Sequence, residues 1–434
     1  MLKGFDTSKY LAMESAAIAG EVRKYDKVIF EFGGKLFDDY HATRVLPGFE
    51  ITAKLQLFES FKDEMELIIC INSDNIENER IRSDYDTLYV DDCVKLIGKY
   101  REAGLTVSGI AFTVFDNQPK ALAFAEKLKK MGENTYFLRK IPNYPNDFDA
   151  IMESFEKNDD IITTKPLVIM TSSGSASGKL SACLSQIYKE HKKGNNVGYA
   201  KYDIFPVWNL EVNHPLNVAF MAGTADSGDQ IMVDPFYYEK YSVEVSNYNR
   251  DIKVFPVIQK ILKQITGHDV YSSPTEMVIN KMKDSIIDEE LVKQKSREEV
   301  CRRYLTYQKQ YKRGQSTAIP ILRVEELMRE NDITMSNLSI VLRAREIFSL
   351  NKDKDYFVLD FNSTNDFVIE IDASNFAFDT IVNKLMKFCN CKSYDILRTK
   401  LEGCNAHMSF IPTIVEEQQI KALGINLTCE PIIK

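Results

Sequence analysis

"PLVIMTSSGSASGKLSACLSQIY" (166–188) joins an apolar run, a loop of small residues and a helix-favouring segment, in that order. A short, unbroken apolar run bounded by turn residues is a strand buried on both faces, and such strands belong to parallel sheets covered by helices. The pattern recurs on either side. "KVIFEF" (27–32), "ELIICI" (66–71), "SGIAFTVF" (108–115), "TYFL" (135–138), "VGYAKYDIF" (197–205) and "LNVAFM" (216–221) read as further strands. Helical patterns over 50–64, 87–103, 119–132 and 179–192 separate most of them. Strand and helix in alternation predict an α/β fold with an open, mostly parallel, Rossmann-like or P-loop-like sheet.

The pattern changes further along. Residues 251–266, 274–313 and 321–349 are long, charged and helix-favouring, and strands return at "YFVLDF" (356–361) and "DFVIEI" (366–371). The turn-like "NSTN" between those two predicts a hairpin. The expected organisation is a sheet domain over 1–250, a helical region over 251–350 and a smaller α+β subdomain over 351–434. At 434 residues the chain exceeds what one core supports, in keeping with two to three domains. The N-terminal segment reads as an amphipathic helix, with Leu11, Ala12, Ala16 and Ala19 on one side.

Composition excludes several classes. A net charge of −8 leaves no basic excess to neutralise phosphates, so nucleic acid is not the expected main partner. "KQYKR" (309–313) reads as a solvated helix face. No apolar run reaches the roughly 18 residues of a membrane span, and the first residues lack the order of a signal peptide. Eight cysteines are too few for a disulfide scaffold in a chain this long, so reduced thiols and a cytoplasmic location are expected. Cys389, Cys391, Cys404 and His407 offer four soft ligands but lack the usual knuckle spacing, and buried cysteines are favoured over zinc.

The loop in 166–188 carries the functional reading. A phosphate loop sets backbone N–H groups at a helix N-terminus, where the dipole is positive, and adds a lysine for the outer phosphates. Gly178 and Lys179 occupy the Gly-Lys position, with Gly174 close to the expected first glycine. Two departures stand out: Ser173 fills the first glycine position, and Leu180 fills the magnesium-ligand position. The competing reading is a capped helix start. A serine-nucleophile elbow is excluded, because Ala176 is central in "GSASG".

A second glycine turn follows the first strand. Gly33, Gly34 and Lys35 would also suit an anion at the carboxyl edge of a sheet, and Asp38, Asp39, His41 and Arg44 follow closely. Further acids lie at Asp203, Asp226, Asp229 and Asp234, and "NYNRD" (247–251) adds Asn247, Asn249 and Arg250. His214 in "WNLEVNHP" reads as structural.

"EFGGKLFDDYHATRVLPGF", "SGKLSACLSQIY", "FPVWNLEVNHPLNVAF", "TADSGDQIMVDPF", "NYNRDIKVFPV" and "LGINLTCEP" together resemble a bacterial family catalogued as domain of unknown function 1846. The resemblance runs nearly from end to end. It implies cytoplasmic bacterial proteins with an α/β N-terminal region, a helical segment and an α/β C-terminal subdomain. It also implies a glycine-rich, phosphate-loop-like turn, matched here by Gly174, Gly178 and Lys179, although serines stand where glycine or proline is expected.

The resulting expectation is an enzyme binding a phosphate-bearing ligand, ATP with magnesium among the candidates, for phosphoryl or nucleotidyl transfer. Lys179 and the loop would hold phosphate, and Asp226 and Asp234 the magnesium. Arg250, Asn247, Asn249 and Arg44 would hold the second substrate, with His41 or Asp38 as proton carrier. The alternatives are a phosphosugar or nucleotide-metabolite enzyme that ignores ATP, and a non-catalytic, ligand-sensing or scaffolding homo-oligomer.

Overall fold

The structure, a computed structural model, describes residues 3–37, 39–82, 87–174, 176–312, 316–334, 366–369, 386, 392–401, 405–408 and 426–429. They fall into two compact units. One comprises Met1–Ser83, Thr87–Met221 and Asp229–Lys295; the other includes Ala222–Gly228 and Ser296–Lys434.

The first unit is built on seven parallel strands. In chain order these are β1 (Lys27–Phe32), β2 (Met65–Asn72), β3 (Val107–Phe115), β4 (Thr135–Arg139), β5 (Leu167–Ser172), β6 (Val197–Tyr202) and β7 (Val278–Ile279). In space the order is β7-β6-β1-β5-β2-β3-β4, every neighbour parallel. β5 therefore enters late, between two strands made much earlier.

That insertion fixes where the connections run. The β1–β2 connection steps over β5 in one direction, and the β5–β6 connection steps over β1 in the other. Right-handed crossovers of opposite direction lie on opposite faces of a sheet. The core agrees. Helix α4 (Lys179–Lys192) packs Ala182, Cys183, Leu184 and Ile187 against Ile29, Val168, Met170 and Tyr199. On the other face, Phe58 of α3 (Ala53–Glu59) meets Phe32 at 4.9 Å, and Phe32 stacks on Tyr202. Alternate residues of β1 thus face opposite layers, as the pleat requires.

Helix α1 (Thr7–Val22) starts at Asp6, whose carboxylate accepts the Ser8 and Lys9 amides. Its buried residues are Thr7, Tyr10, Glu14 and Ile18. The face expected from Leu11, Ala12, Ala16 and Ala19 is therefore not the packed one. Tyr10 reaches the core through a 2.5 Å bond to the Tyr202 hydroxyl, which makes this polar-tipped stripe the inward one.

One expected strand is a helix. "LNVAFM" lies in α5 (Pro215–Gly223). An apolar run buried on all sides has no periodicity to separate the two states. Pro215 opens the helix, and the fully buried Asn217 ties it down through Val207 N (3.0 Å), Val207 O (3.4 Å) and Glu211 O (3.0 Å). The sheet unit also continues past residue 250. After α6 (Pro235–Tyr241) and α7 (Asn249–Thr266), β7 adds the seventh strand.

In the second unit the described strands Asp366–Ile369, Asn405–Met408 and Asn426–Cys429 form a parallel sheet in that order. Residues 356–361, the expected hairpin partner, lie outside the described residues, as do Cys389, Cys391 and Cys404. His407 lies in the middle strand. No described helix is long and apolar enough to cross a membrane.

Replacing Asn217 by Ala should leave the Val207 amide without its partner, while the Val207 and Glu211 carbonyls keep the Leu210 and His214 amides. The expected loss is about 1–3 kcal/mol, read as a lower urea midpoint with an unchanged slope.

Candidate functional site

Adjacent strands whose connections leave in opposite directions open a crevice at their carboxyl ends, and ligands of such sheets bind there. In this chain those strands are β1 and β5, so both glycine turns sit at one edge, one strand spacing apart.

The turn after β5 is held from three sides. The Asn72 amide at the end of β2 donates to Ala176 O at 3.0 Å, and Thr113 of β3 donates to Ser177 O at 2.6 Å. Tyr89 lies against Gly174, so that a Cβ there would come within 2.7 Å of its ring. Gly178 begins α4 with φ 74°, and a Cβ would meet Thr113 at 2.8 Å. Ala176 adopts φ 52° without being glycine, a conformation that costs about 1–2 kcal/mol and persists only where the surroundings impose it. The Lys179 ammonium folds back onto Ser172 Oγ (3.1 Å) and Ser177 Oγ (3.4 Å), and among the described residues no carboxylate pairs with it. Ser173 Oγ is buried with no hydrogen-bond partner.

The turn after β1 is lined by charge. A Cβ on Gly33 would lie 2.5 Å from Asp203 Oδ2, and a Cβ on Gly34 (φ 77°) would lie 3.2 Å from Lys54 Nζ. Gly33 is therefore required by the carboxylate beside it, and Gly34 by its left-handed backbone. Lys54 is 1% exposed and pairs with Asp39 at 2.5 Å while donating to Lys35 O. Burial alone would push Asp39 up, but the Lys54 ammonium and the amide of Ala42 bring it below the usual carboxylate range.

Asp203 follows β6. It is 9% exposed, and among the described residues no hydrogen bond or ion pair reaches its Oδ2. Burial pushes it up to about 6 against the pull of Lys201, Arg250 and Lys54. Lys201, on β6, pairs with Asp251, and burial, which lowers it, is outweighed by Asp251, Asp203 and Glu31, leaving it raised. Arg250 lies over the Tyr248 ring at 4.8 Å and pairs with Asp229 at 3.2 Å.

The remaining sequence candidates have other duties. His41 packs edge-on against Phe205 and Phe220. Asp38 lies outside the described residues. Its neighbour Asp39 caps α2 (Tyr40–Val45), and Arg44 lies in the last turn of that helix. Asn247 is buried, bonding Thr275 and the Tyr248 amide, and Asn249 receives the Gln230 and Arg250 amides. Asp234, fully buried, caps α6 with one oxygen and takes Thr275 with the other. Asp226 takes the Tyr307 hydroxyl within the second unit. Among the described residues, no three His, Cys, Asp or Glu side chains gather as a metal site.

The sequence reading passed over Lys54 and Lys201. Each had a signal: a lysine inside an otherwise apolar run, "ITAKLQLF" and "VGYAKYDIF", is either a register error or a buried, paired charge.

Because Asp203 titrates higher folded than unfolded, its ionised form opposes folding. That cost is absent below pH 4 and fully present above pH 6. Asp203→Asn should therefore stabilise the protein by about 1–3 kcal/mol at pH 8, with the gain fading towards pH 4, as urea unfolding at the two values would reveal.

The family model for domain of unknown function DUF1846, N-terminal, matches residues 3–332, and that for its C-terminal domain matches 392–434. A UPF0371 protein of Clostridium botulinum (strain Kyoto / Type A2) is 35% identical over 99% of this chain and 97% of its own length. One from Clostridium tetani has the same identity and coverage. A UPF0371 protein of the botulinum strain Alaska E43 is 42% identical over 79% of the chain and 69% of its own length.

Proposed function

The chain belongs to the bacterial DUF1846 family, and from its crevice we propose that it binds a small phosphate-bearing ligand between the carboxyl ends of β1 and β5. The observation that carries this reading is the Lys179 ammonium, which among the described residues has two neutral hydroxyls and no carboxylate for company at the start of α4. A cation so placed favours an anion, and the N-terminus of α4 adds backbone N–H groups and dipole of the same sign. The buried, unsatisfied Ser173 hydroxyl supplies one more group for a ligand oxygen.

Phosphoryl or nucleotidyl transfer, with ATP–magnesium as one donor, is the chemistry such a loop serves. Asp203 then replaces His41 and Asp38 as proton carrier, since it combines an unpaired oxygen with a titration near neutrality. Arg250 is half exposed beside it and keeps its expected role on the second substrate. Asp226 and Asp234 drop out of this reading because each carboxylate already serves another group.

A second reading, a ligand-sensing homo-oligomer, draws on Met232, Val233, Tyr238, Tyr241 and Val243, which are exposed within one short stretch.

Calorimetric titration of inorganic phosphate, and of ATP with magnesium, into the protein and into Lys179→Ala tests the site. A charge-assisted contact of about 1.5–3 kcal/mol predicts at least a tenfold loss in affinity. Equal heats from the two proteins would reject the role of the loop.

A further inference from the structure

Three places outside the loop at Lys179 bear on chemistry. The cleft lined by Asn75, Ile76, Arg80, Tyr89, Phe124 and Lys127 is roomy, but its buried Asn75 already accepts from Arg80 at 3.2 Å. The exposed apolar stretch at 232–243 has nothing against it to identify a partner. The third is Asp203.

Three features of this carboxylate belong together. It stands at the carboxyl end of β6, next to β1, and so on the far side of β1 from the phosphate loop. Its Oδ2 reaches over Gly33, where any side chain would collide with it. Its Oδ2 has no donor among the described residues, although the group is 9% exposed. An ionised carboxylate so buried costs several kcal/mol unless donors satisfy it, and the chain supplies charge at a distance from Lys201, Lys54 and Arg250 but no hydrogen bond to this oxygen. Oδ2 is not sealed from solvent, so its donors are water in the free protein and can be replaced by groups of a ligand. Hydroxyl groups fit, because they donate to a carboxylate without adding positive charge to a place already facing three cations.

Strand spacing sets the length of that ligand. β6, β1 and β5 are successive neighbours, each about 4.8 Å apart, so Asp203 and the loop after Ser172 are roughly 10 Å apart across the strand direction. Between them runs the Gly33–Gly34 turn, where the Asp203 carboxylate and the Lys54 ammonium take the space that side chains would fill. Inorganic phosphate is too short to touch both ends.

We infer that the crevice takes a sugar phosphate, its phosphate on the loop at Lys179 and its hydroxyls donating to Asp203 across the Gly33–Gly34 turn. The inference rests on the phosphate-loop reading and adds to it the polyol end. Asp203 acts as a specificity group that tells a phosphorylated sugar from phosphate alone. Its ionisation is governed by Lys201 on β6, Lys54 on α3, and Arg250 and Asp251 on α7, with Tyr248 and Tyr202 alongside.

The test uses the full chain, with glucose 6-phosphate, fructose 6-phosphate, inorganic phosphate and ATP–magnesium as calorimetric probes. At least one hexose phosphate should bind about tenfold or more tightly than inorganic phosphate. Asp203→Asn, which is expected to fold at least as well as the parent, should shrink that ratio about tenfold. The ratio should also fall as the pH drops below 6, where Asp203 takes up its proton. The same pH series on Asp203→Asn carries the ligands' own ionisations, near pH 6 for the ester, without the Asp203 proton, and so separates the two. A ratio near one in the parent protein, or a ratio unmoved by Asp203→Asn, would overturn the sugar assignment while the loop reading stood on its Lys179→Ala result. ATP–magnesium outcompeting every sugar phosphate would do the same. No heat from any of the four probes would overturn both.

Discussion

The hydrogen-bonded insertion of β5 between β1 and β2 is the constraint on which the rest of the molecule depends. Because β1 and β5 are neighbours, and because the chain leaves them in opposite directions, neither connection covers the gap above them. The loops of 33–35 and 172–179 meet there for reasons of topology before any side chain is considered. Everything that follows, from the tether of Asn72 on Ala176 to the contact of Asp203 with Gly33, trims a space that the strand order had already opened.

That space is furnished with charges the fold itself does not need. Some buried carboxylates in this chain are satisfied: Asp234 receives amide and hydroxyl donors on both oxygens, and Glu66 takes the amides of Thr164 and Lys165, whereas Glu14 on α1 keeps one oxygen without a partner and burial pushes it up to about 7. Lys179 and Asp203 are different. One is a cation resting on hydroxyls, the other a buried anion whose outer oxygen lacks a donor. Groups left unsatisfied in a protein interior cost stability, and at this edge they are Ser173, with Lys179 and Asp203 lacking strong partners among the described residues.

Much of the architecture was legible in the sequence. Uniform, isoleucine-rich apolar runs such as "ELIICI" favour strands covered on both sides, and the helices between them follow. "LNVAFM" misled because complete burial erases the period that separates helix from strand. The inward stripe of α1 misled because a tyrosine and a glutamate, Tyr10 and Glu14, supply part of it. At the site, the glycine turns and Lys179 could be found from spacing, whereas the neighbours that give them meaning could not. Lys54 reaches Gly34 from a helix twenty residues away, and Asp203 reaches Gly33 from a strand 170 residues away. Asp38 and His41 drew attention as polar residues close to the turn, but proximity in sequence says little about direction, and His41 points into aromatic packing.

The late entry of β5 also bears on how the chain reaches this state during synthesis. When residue 139 leaves the ribosome, β2, β3 and β4 can already pair, but β1 has no partner and the inner edge of β2 stays open. Both edges are strongly apolar, and they wait for a segment centred on residue 169. Pairings of such long sequence separation form slowly, and open strand edges invite association while they wait. A nascent chain of this protein therefore passes through a window of exposure that closes only when β5 and the loop after it have been made.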